Sequence, residues 1–406
     1  MPTDAGLAPA TIDDRARSGP AVVATAERLA TRFAARAAAH DRDGSFPVED
    51  FADLRAAGMF GLLVPPSLGG FGAGFADYVE VAYALARGNG ATALVFNMHA
   101  SVTGALAAVT DALAEDLGIA DSALTARDAF LAAAASGSWY AVAQSERGAG
   151  SRLSQLTTTY RRVDGGFQLT GSKSFCSGAG YCDGYLVAAR SAADPGRVSQ
   201  FLIPASTTGI AVEPTWDSLG MRATGSHDVH LDAVVPAGAL VGGVEGLALV
   251  VARQSPHWMV ASYAAVYVGV ARAAVDAAVA HLGRLPAAAL PAVRARIGRA
   301  DAAVAAAHQF VREAAHRVDR DPDDPATRTW VWRAKLLAGD TAAEVAASML
   351  AAAGASASRR GHPLERLFRD ARCGALQPAT SDVCADWLGA AALGLDPDRD
   401  TPVARW

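Results

Sequence analysis

The residues best suited to chemistry cluster between Trp139 and Ser177. There Ser145-Glu146-Arg147-Gly148-Ala149-Gly150-Ser151 forms a glycine-rich run bordered by hydroxyls. Glycine lets a backbone turn so that successive N–H groups face one ligand, and serine adds a donor without bulk. Such a loop suits a flat or anionic ligand; the same spacing also suits a surface β-turn. Three histidines stand out: His99 in Phe96-Asn97-Met98-His99-Ala100-Ser101, His257 in Pro256-His257-Trp258-Met259, and His227 in Gly225-Ser226-His227-Asp228. An imidazole titrates near neutrality and can serve as a general base. His99 and His257 are equally readable as satisfied histidines on half-buried faces, and His227 as one that positions a loop. The four cysteines, Cys176, Cys182, Cys373 and Cys384, match no zinc-ligand spacing. No metal site is expected, and the thiols read as reduced and buried.

These residues must be held by three kinds of segment. Apolar positions recur at helical spacing over 22–39, 50–57, 75–87, 91–107 and 124–136, which predicts a helical N-terminal unit. Strand patterns then recur at 142–144, 160–163, 167–170, 184–189, 198–203, 209–212 and 229–231, separated by Gly, Pro and Asp turns. Asp164-Gly165-Gly166 is a hairpin signal. From Gly246 onward the chain returns to long alanine-rich helices, with breaks at 286–291 and 319–325. The expected class is α+β. A helical domain spans 1–137, a small antiparallel β sandwich or barrel 138–245, and a C-terminal helical bundle 246–406. Residues 1–20 read as a frayed end, and Asp382 as the cap of the last helix.

At 406 residues, 51% of them apolar, the chain can bury a large core. A net charge of −5 without a basic patch excludes a nucleic-acid footprint. No signal peptide and no membrane span are expected, so the location reads as cytoplasmic.

Several separated motifs resemble the acyl-CoA dehydrogenases and their relatives. Leu68-Gly69-Gly70-Phe71-Gly72 is similar to the family's first-domain pattern. The 145–151 loop resembles its "TEPGAGSD" loop, and Gly171-Ser172-Lys173-Ser174-Phe175-Cys176-Ser177 its "GxKxW/FIT" strand. Leu219-Gly220-Met221-Arg222-Ala223-Thr224-Gly225-Ser226 resembles "LGxRxS", and Leu364 to Arg372 the late "ERxxRDAR" helix. The motifs occur in the family's order over more than 300 residues. The resemblance implies a C-terminal four-helix bundle and a flavin, FAD or alternatively FMN, between β domain and bundle. It places Val142, Gln144, Ser145, Gly150, Ser151, Phe175 and Ser177 against that flavin, Ser177 nearest its central ring. It implies a homodimer or homotetramer that completes the site across an interface. Arg284 is the cation left where the family's "RxxFGxPL" turn contacts a neighbour's FAD.

The chain departs from the family at the base. The family's "YEGTSE" segment supplies a Glu that takes the substrate α-proton and a backbone N–H for the thioester carbonyl. Here Leu376-Gln377-Pro378-Ala379-Thr380-Ser381-Asp382 places Pro378 on that Glu, and proline has neither carboxylate nor N–H. His99, on a helix that lines the family's cavity, and His257 are the replacement candidates. Three expectations follow. The first is a dehydrogenase of an acyl thioester, on CoA or an acyl carrier protein, with a non-standard base. The second is a two-component monooxygenase using O2 and reduced flavin from a flavin reductase. The third is a non-catalytic partner subunit.

Overall fold

In the computed structural model, residues 19–400 are described; the sequence expectation for the first 18 residues lies outside them. The chain opens with α1 (Gly19–Asp43), α2 (Val48–Ala56), α3 (Phe75–Gly88), α4 (Gly90–Ala107), α5 (Asp111–Asp116) and α6 (Asp121–Ala135). In α1 the buried residues Val22, Ala26, Leu29, Phe33 and Ala37 form one stripe at helical spacing, and that stripe packs on α3. The helices approach so closely that a Cβ on Gly88 would lie 2.2 Å from the Ala30 carbonyl oxygen. Helix α4 is apolar on nearly every side and is buried along most of its length. It is the post around which the N-terminal unit packs.

The middle of the chain forms β1 (Tyr140–Ala143), β2 (Thr159–Val163), β3 (Gly166–Cys176), β4 (Gly184–Ser191), β5 (Val198–Pro204), β6 (Ile210–Glu213) and β7 (His227–Pro236). The sheet order is β1-β4-β2-β3-β7-β6, with β5 on β4. The hairpin expected at Asp164-Gly165 joins β2 to β3, and Gly165 takes a φ of 81° that favours glycine. Most pairings are antiparallel, as the sequence suggested, but β1 and β2 both run parallel to β4. The reason is local. β1 covers Gly184 to Val187 and β2 covers Arg190 and Ser191. The two strands thus share one edge of β4 and run the same way. Residues 144–158 are an excursion out of that shared edge, and the glycine-rich loop is its outward half.

The C-terminal region comprises α7 (Leu247–Gln254), α8 (Ser262–Leu282), α9 (Pro291–Arg320), α10 (Pro325–Ala353), α11 (Pro363–Arg372) and α12 (Ser381–Ala392). α8, α9 and α10 pack on one another, α11 packs on α8 and α10, and α12 packs on α10. Proline at the first position of α9 and of α10 matches the breaks read from the sequence. The stretches 256–282 and 325–353 are long and apolar enough to cross a membrane, but the first is 83% buried inside the fold. Thr380, not Asp382, caps α12: its hydroxyl accepts the Val383 N–H at 3.3 Å, and Asp382 sits in the first turn.

Two ties lock the layers around the site. Asp319, at the end of α9, accepts the Phe75 and Ala76 N–H groups at 2.7 and 2.8 Å. Arg369 on α11 donates to the Leu219 carbonyl at 2.9 Å and pairs with Asp41, while Asp370 accepts the Met221 N–H at 2.6 Å. A Cβ on Gly220 would lie 2.2 Å from the Arg369 carbonyl oxygen, so only glycine allows this approach.

Candidate functional site

A cavity of about 1840 Å³ lies where the three regions meet. Small-molecule sites commonly occupy roughly 300–1,000 Å³, so there is room for two ligands. Val142, Gln144, Ser145, Gly150, Ser151, Phe175, Ser177 and His257 all line it. These are seven of the eight residues expected to hold a cofactor, and one of the two candidate bases.

The loop owes its shape to a buried ion pair. Glu146 and Gly150 exchange backbone hydrogen bonds of 2.9 Å each, closing a tight turn. The Glu146 carboxylate accepts from the Thr157 N–H and hydroxyl at 2.6 Å, the Thr158 N–H at 3.0 Å and the Lys173 ammonium at 2.7 Å. Lys173 also donates to the Gln144 carbonyl at 3.2 Å. Burial works to raise the Glu146 pKa, but the Lys173 charge and these donors hold it down at about 2. Burial lowers the Lys173 pKa against the pull of Glu146. The pair therefore fixes both ends of the excursion. The Ser174 N–H to the Ser145 carbonyl, at 2.9 Å, pins its outer limb to β3. Neither Glu146 nor Lys173 was singled out from the sequence. The signal was there: Lys173 follows Phe167, Leu169 and Gly171 on the inward phase of β3, where a lysine needs a buried partner.

The bulge of β3 between Lys173 and Cys176 turns Phe175 to a φ of 58° and leaves its ring 61% exposed. The ring meets Trp216 edge-on at 5.9 Å. Trp216 is placed by His227, whose Nδ1 accepts its N–H at 3.2 Å, so His227 positions a loop. Beyond the bulge, the Ser177 hydroxyl lies 2.9 Å from that of Ser226, which lies 2.7 Å from that of Thr224.

The opposite wall comes from the turn before α8, from α8 itself and from the segment before α12. His257, only 5% exposed, lines the cavity with no hydrogen-bond partner among the described residues. Burial lowers its pKa to about 4, so it is neutral at pH 7. Trp258, Met259, Tyr263, Gln377, Pro378 and Ala379 complete this wall. The departure at Pro378 is well anchored: the buried Lys335 donates to the Gly374 and Gln377 carbonyls at 2.9 and 3.2 Å. Burial lowers the Lys335 pKa to about 8.

One sequence expectation needs correction. His99 does not line the cavity. Its Nε2 donates to the Phe60 carbonyl at 2.8 Å and its Nδ1 accepts the Tyr140 N–H at 3.1 Å. Burial lowers its pKa to about 4. With both nitrogens spent on backbone, it clips α4 to β1 and cannot take a substrate proton. Helical position alone could not show this, because one turn separates a cavity face from a packed one. Arg284, expected to reach a neighbour's cofactor and not its own, is exposed on the turn after α8 and outside this chain's cavity. The cysteines behave as expected: Cys176, Cys182 and Cys384 are buried, and burial pushes the Cys182 thiol up to about 12. No metal-binding cluster occurs among the described residues.

The donor set fits a flat, amphipathic ring. Gln144 and Ser145 carry side-chain polar groups without partners among the described residues, beside the apolar faces of Val142 and Phe175. A helix–sheet–helix chain with such a cavity between its layers has the architecture of a flavin enzyme. Three acyl-CoA dehydrogenase domain models match it: N-terminal over residues 20–115, middle over 141–234 and C-terminal over 261–381. YdbM of Bacillus subtilis, an acyl-CoA dehydrogenase by name, is 31% identical over 90% of this chain and 95% of its own length. The amino sugar nitrososynthase RubN8 of Streptomyces rubradiris is 32% identical over 94% of this chain and 93% of its own. Among solved structures, KijD3 in complex with FMN and a dTDP-amino-keto sugar superposes with a TM-score of 0.83 at 29% identity, covering 94% and 95% of the two chains. FMN-bound TdsC from Paenibacillus sp. A11-2 superposes at 0.81 with 26% identity, covering 92% and 97%. The chain belongs to the acyl-CoA dehydrogenase superfamily.

Proposed function

We propose that this protein is a flavin-dependent monooxygenase built on the acyl-CoA dehydrogenase scaffold, receiving reduced flavin from a separate flavin reductase. The observation that carries this reading is the Gln377-Pro378-Ala379 wall. It lines the cavity, and at 378 offers neither a carboxylate nor an N–H. Abstraction of an α-proton needs the first, and polarising a thioester carbonyl benefits from the second; one lost oxyanion donor alone costs about 10²–10³ in rate. Oxygenation needs neither. The names of two relatives point the same way, against that of YdbM: RubN8 is a nitrososynthase and a 27% identical Rhodococcus qingshengii protein is a dibenzothiophene monooxygenase.

Val142, Gln144, Ser145, Gly150, Ser151, Phe175 and Ser177 would hold the flavin. FMN is the form to test first, since it is the flavin in the similar KijD3 and TdsC structures. The chemistry supplied by a bound reduced flavin is two-electron activation of O2, one oxygen atom entering the substrate and the other leaving as water. The chain's residues shape and dry the space beside it. Leu106, Val109, Ile119, Leu124, Leu247 and Val251 line its far part. Of the two arginines in the lining, Arg127 is engaged by Asp128 and the Val109 carbonyl, and Arg152 by the Ala149 carbonyl. With both arginines engaged and Asp116, Asp323 and Asp382 also in the lining, the space disfavours an anionic, nucleotide-linked substrate. His257 is the candidate catalytic residue: a neutral imidazole that can hold or accept a substrate proton.

The test supplies purified protein with FMN, a flavin reductase, reduced nicotinamide, O2 and a panel of apolar heteroaromatics. Product carrying one added oxygen atom, dependent on both reductase and this protein, supports the reading. Anaerobic bleaching of bound flavin by an acyl thioester would overturn it in favour of dehydrogenation.

A further inference from the structure

One hydroxyl on the wall made by α8 and the 377–379 segment has a poorly used hydrogen. Tyr263 sits in the first turn of α8, half-buried, and lines the cavity. Its hydroxyl has a single partner among the described residues, the Met98 Sδ at 3.7 Å. A thioether sulfur is a weak acceptor. Met98 lines the cavity too, so the hydroxyl beside its sulfur belongs to the cavity wall. Burial pushes the phenol above its usual pKa, so it keeps its hydrogen at neutral pH. Neighbouring hydroxyls are better used. Ser101 and Ser262 both donate to the Trp258 carbonyl, at 2.7 and 2.8 Å. Tyr267, one turn further along the same face of α8, has its ring 2.8 Å from where a Cβ on Gly374 would lie. The segment leading to Pro378 therefore packs down on the face that carries Tyr263.

We propose that Tyr263 is a specificity-determining donor: its hydroxyl turns from Met98 to an acceptor atom of the substrate, so the cavity selects molecules that carry such an atom over hydrocarbons of the same shape. The inference rests on the monooxygenase reading only in calling that ligand a substrate. A donor left with a weak acceptor gains a full hydrogen bond when a ligand offers oxygen or nitrogen. Because the phenol keeps its hydrogen, a carbonyl, an ether oxygen or a bare ring nitrogen matches it, and a hydrocarbon does not. Polar groups set into an apolar wall fix a ligand's orientation. Here Met259, Pro378 and Ala379 supply apolar surface, and His257, Tyr263 and Gln377 the polar points. His257 and Gln377 each offer both a donor and an acceptor. Tyr263 adds a donor whose present bond is the weakest on the wall to give up. A ligand held there is oriented by its acceptor atom, which sets the part of the molecule that faces the rest of the cavity.

The experiment measures dissociation constants of the bicyclic ketone indanone and its parent hydrocarbon indane by titration calorimetry on the full chain, without flavin. Water already bonds the free ketone, so the quantity read is the ketone-to-hydrocarbon affinity ratio of the native protein against that of each variant. A net hydrogen bond corresponds to roughly two- to ten-fold in affinity. Tyr263→Phe should lower the ratio by that factor, weakening indanone and leaving indane unchanged. Met98→Leu removes the competing sulfur and keeps the phenol, and should keep or raise the ratio, which separates the hydrogen bond from altered packing. The carbonyl stretching band of bound indanone should lie at lower frequency in the native complex than in the Tyr263→Phe complex. A ratio or a band that Tyr263→Phe leaves unchanged would overturn the inference, as would a native protein that binds neither compound. Failure of reductase-dependent oxygenation, with the ratio behaving as expected, would instead overturn the monooxygenase reading and leave the donor in place.

Discussion

Replacing Lys173 with methionine tests whether the buried ion pair builds the flavin wall. Glu146 and Lys173 are 2% and 1% exposed and their charged atoms lie 2.7 Å apart. At an effective dielectric of about 20 that separation is worth about 6 kcal/mol of attraction, before the cost of burying both charges. Breaking a buried pair by removing one partner costs about 3–5 kcal/mol. The lower end applies here, because Glu146 keeps its three other donors from Thr157 and Thr158. The carboxyl's own pKa gives a similar figure. It stands at about 2 against a usual 4.5, and at 1.36 kcal/mol per unit the difference is about 3.4 kcal/mol. Lys173→Met should therefore lower the melting temperature by roughly 6–12 °C, at about 2–4 °C per kcal/mol. It should also weaken FMN binding, because Gln144 and the loop lose their anchor. The double variant Lys173→Met/Glu146→Gln removes both charges and should recover much of the loss, a non-additivity that a double-mutant cycle reads directly. Calorimetry and FMN titration on the four proteins decide it. A single variant melting within about 2 °C of native, or a double variant as unstable as the single, would refute the argument.

Acid should destabilise the fold in two steps. His99 and His257 are depressed to about 4. Below their usual 6.5 the unfolded chain binds more protons, so stability falls as pH drops from 6.5 toward 4. Glu146, held at about 2, contributes stability that is present above 4.5 and is lost as pH falls from there toward 2; denaturant melts from pH 7 to 3 check both. His99→Leu strands the Phe60 carbonyl and the Tyr140 N–H, at about 1–3 kcal/mol each, and should lower stability while the folded fraction keeps its turnover. His257→Ala should show the reverse, with a reduced kcat and a melt close to native. Gly220→Ala forces a Cβ against the Arg369 carbonyl, should cost about 1–3 kcal/mol, and should loosen the 219–226 segment enough to weaken FMN binding.

Much of this was legible in the sequence, for identifiable reasons. The helices α1 and α3 announce themselves by period, and the β2–β3 hairpin by Asp164-Gly165. The residues around 145–151 and 175–177 are legible because a flat ligand imposes glycine and small hydroxyls on whatever faces it. His99 was not, since a periodic pattern places a side chain on a buried face without saying whether that face meets a cavity or backbone. The parallel pairing of β1 and β2 with β4 was hidden because their strand patterns carry no direction. The hydroxyl chain was hidden because Ser177 and Thr224 are 47 residues apart in number and meet only where β7 lies along β3.

The departure at Pro378 and the preserved loop at 145–151 belong to different walls, and that separation explains how one could change without the other. The loop is held by Glu146 and Lys173 inside the β region. The Gln377-Pro378-Ala379 wall is held by Lys335 from α10, through the Gly374 and Gln377 carbonyls. Neither anchor bonds to the other's wall. A chain can therefore lose the carboxylate that defines dehydrogenation and keep a formed surface for the flavin ring. What remains beside that ring is a lining of apolar side chains, His257 and carboxylates such as Asp382, and at 378 it has neither the carboxylate nor the N–H that dehydrogenation of a thioester uses.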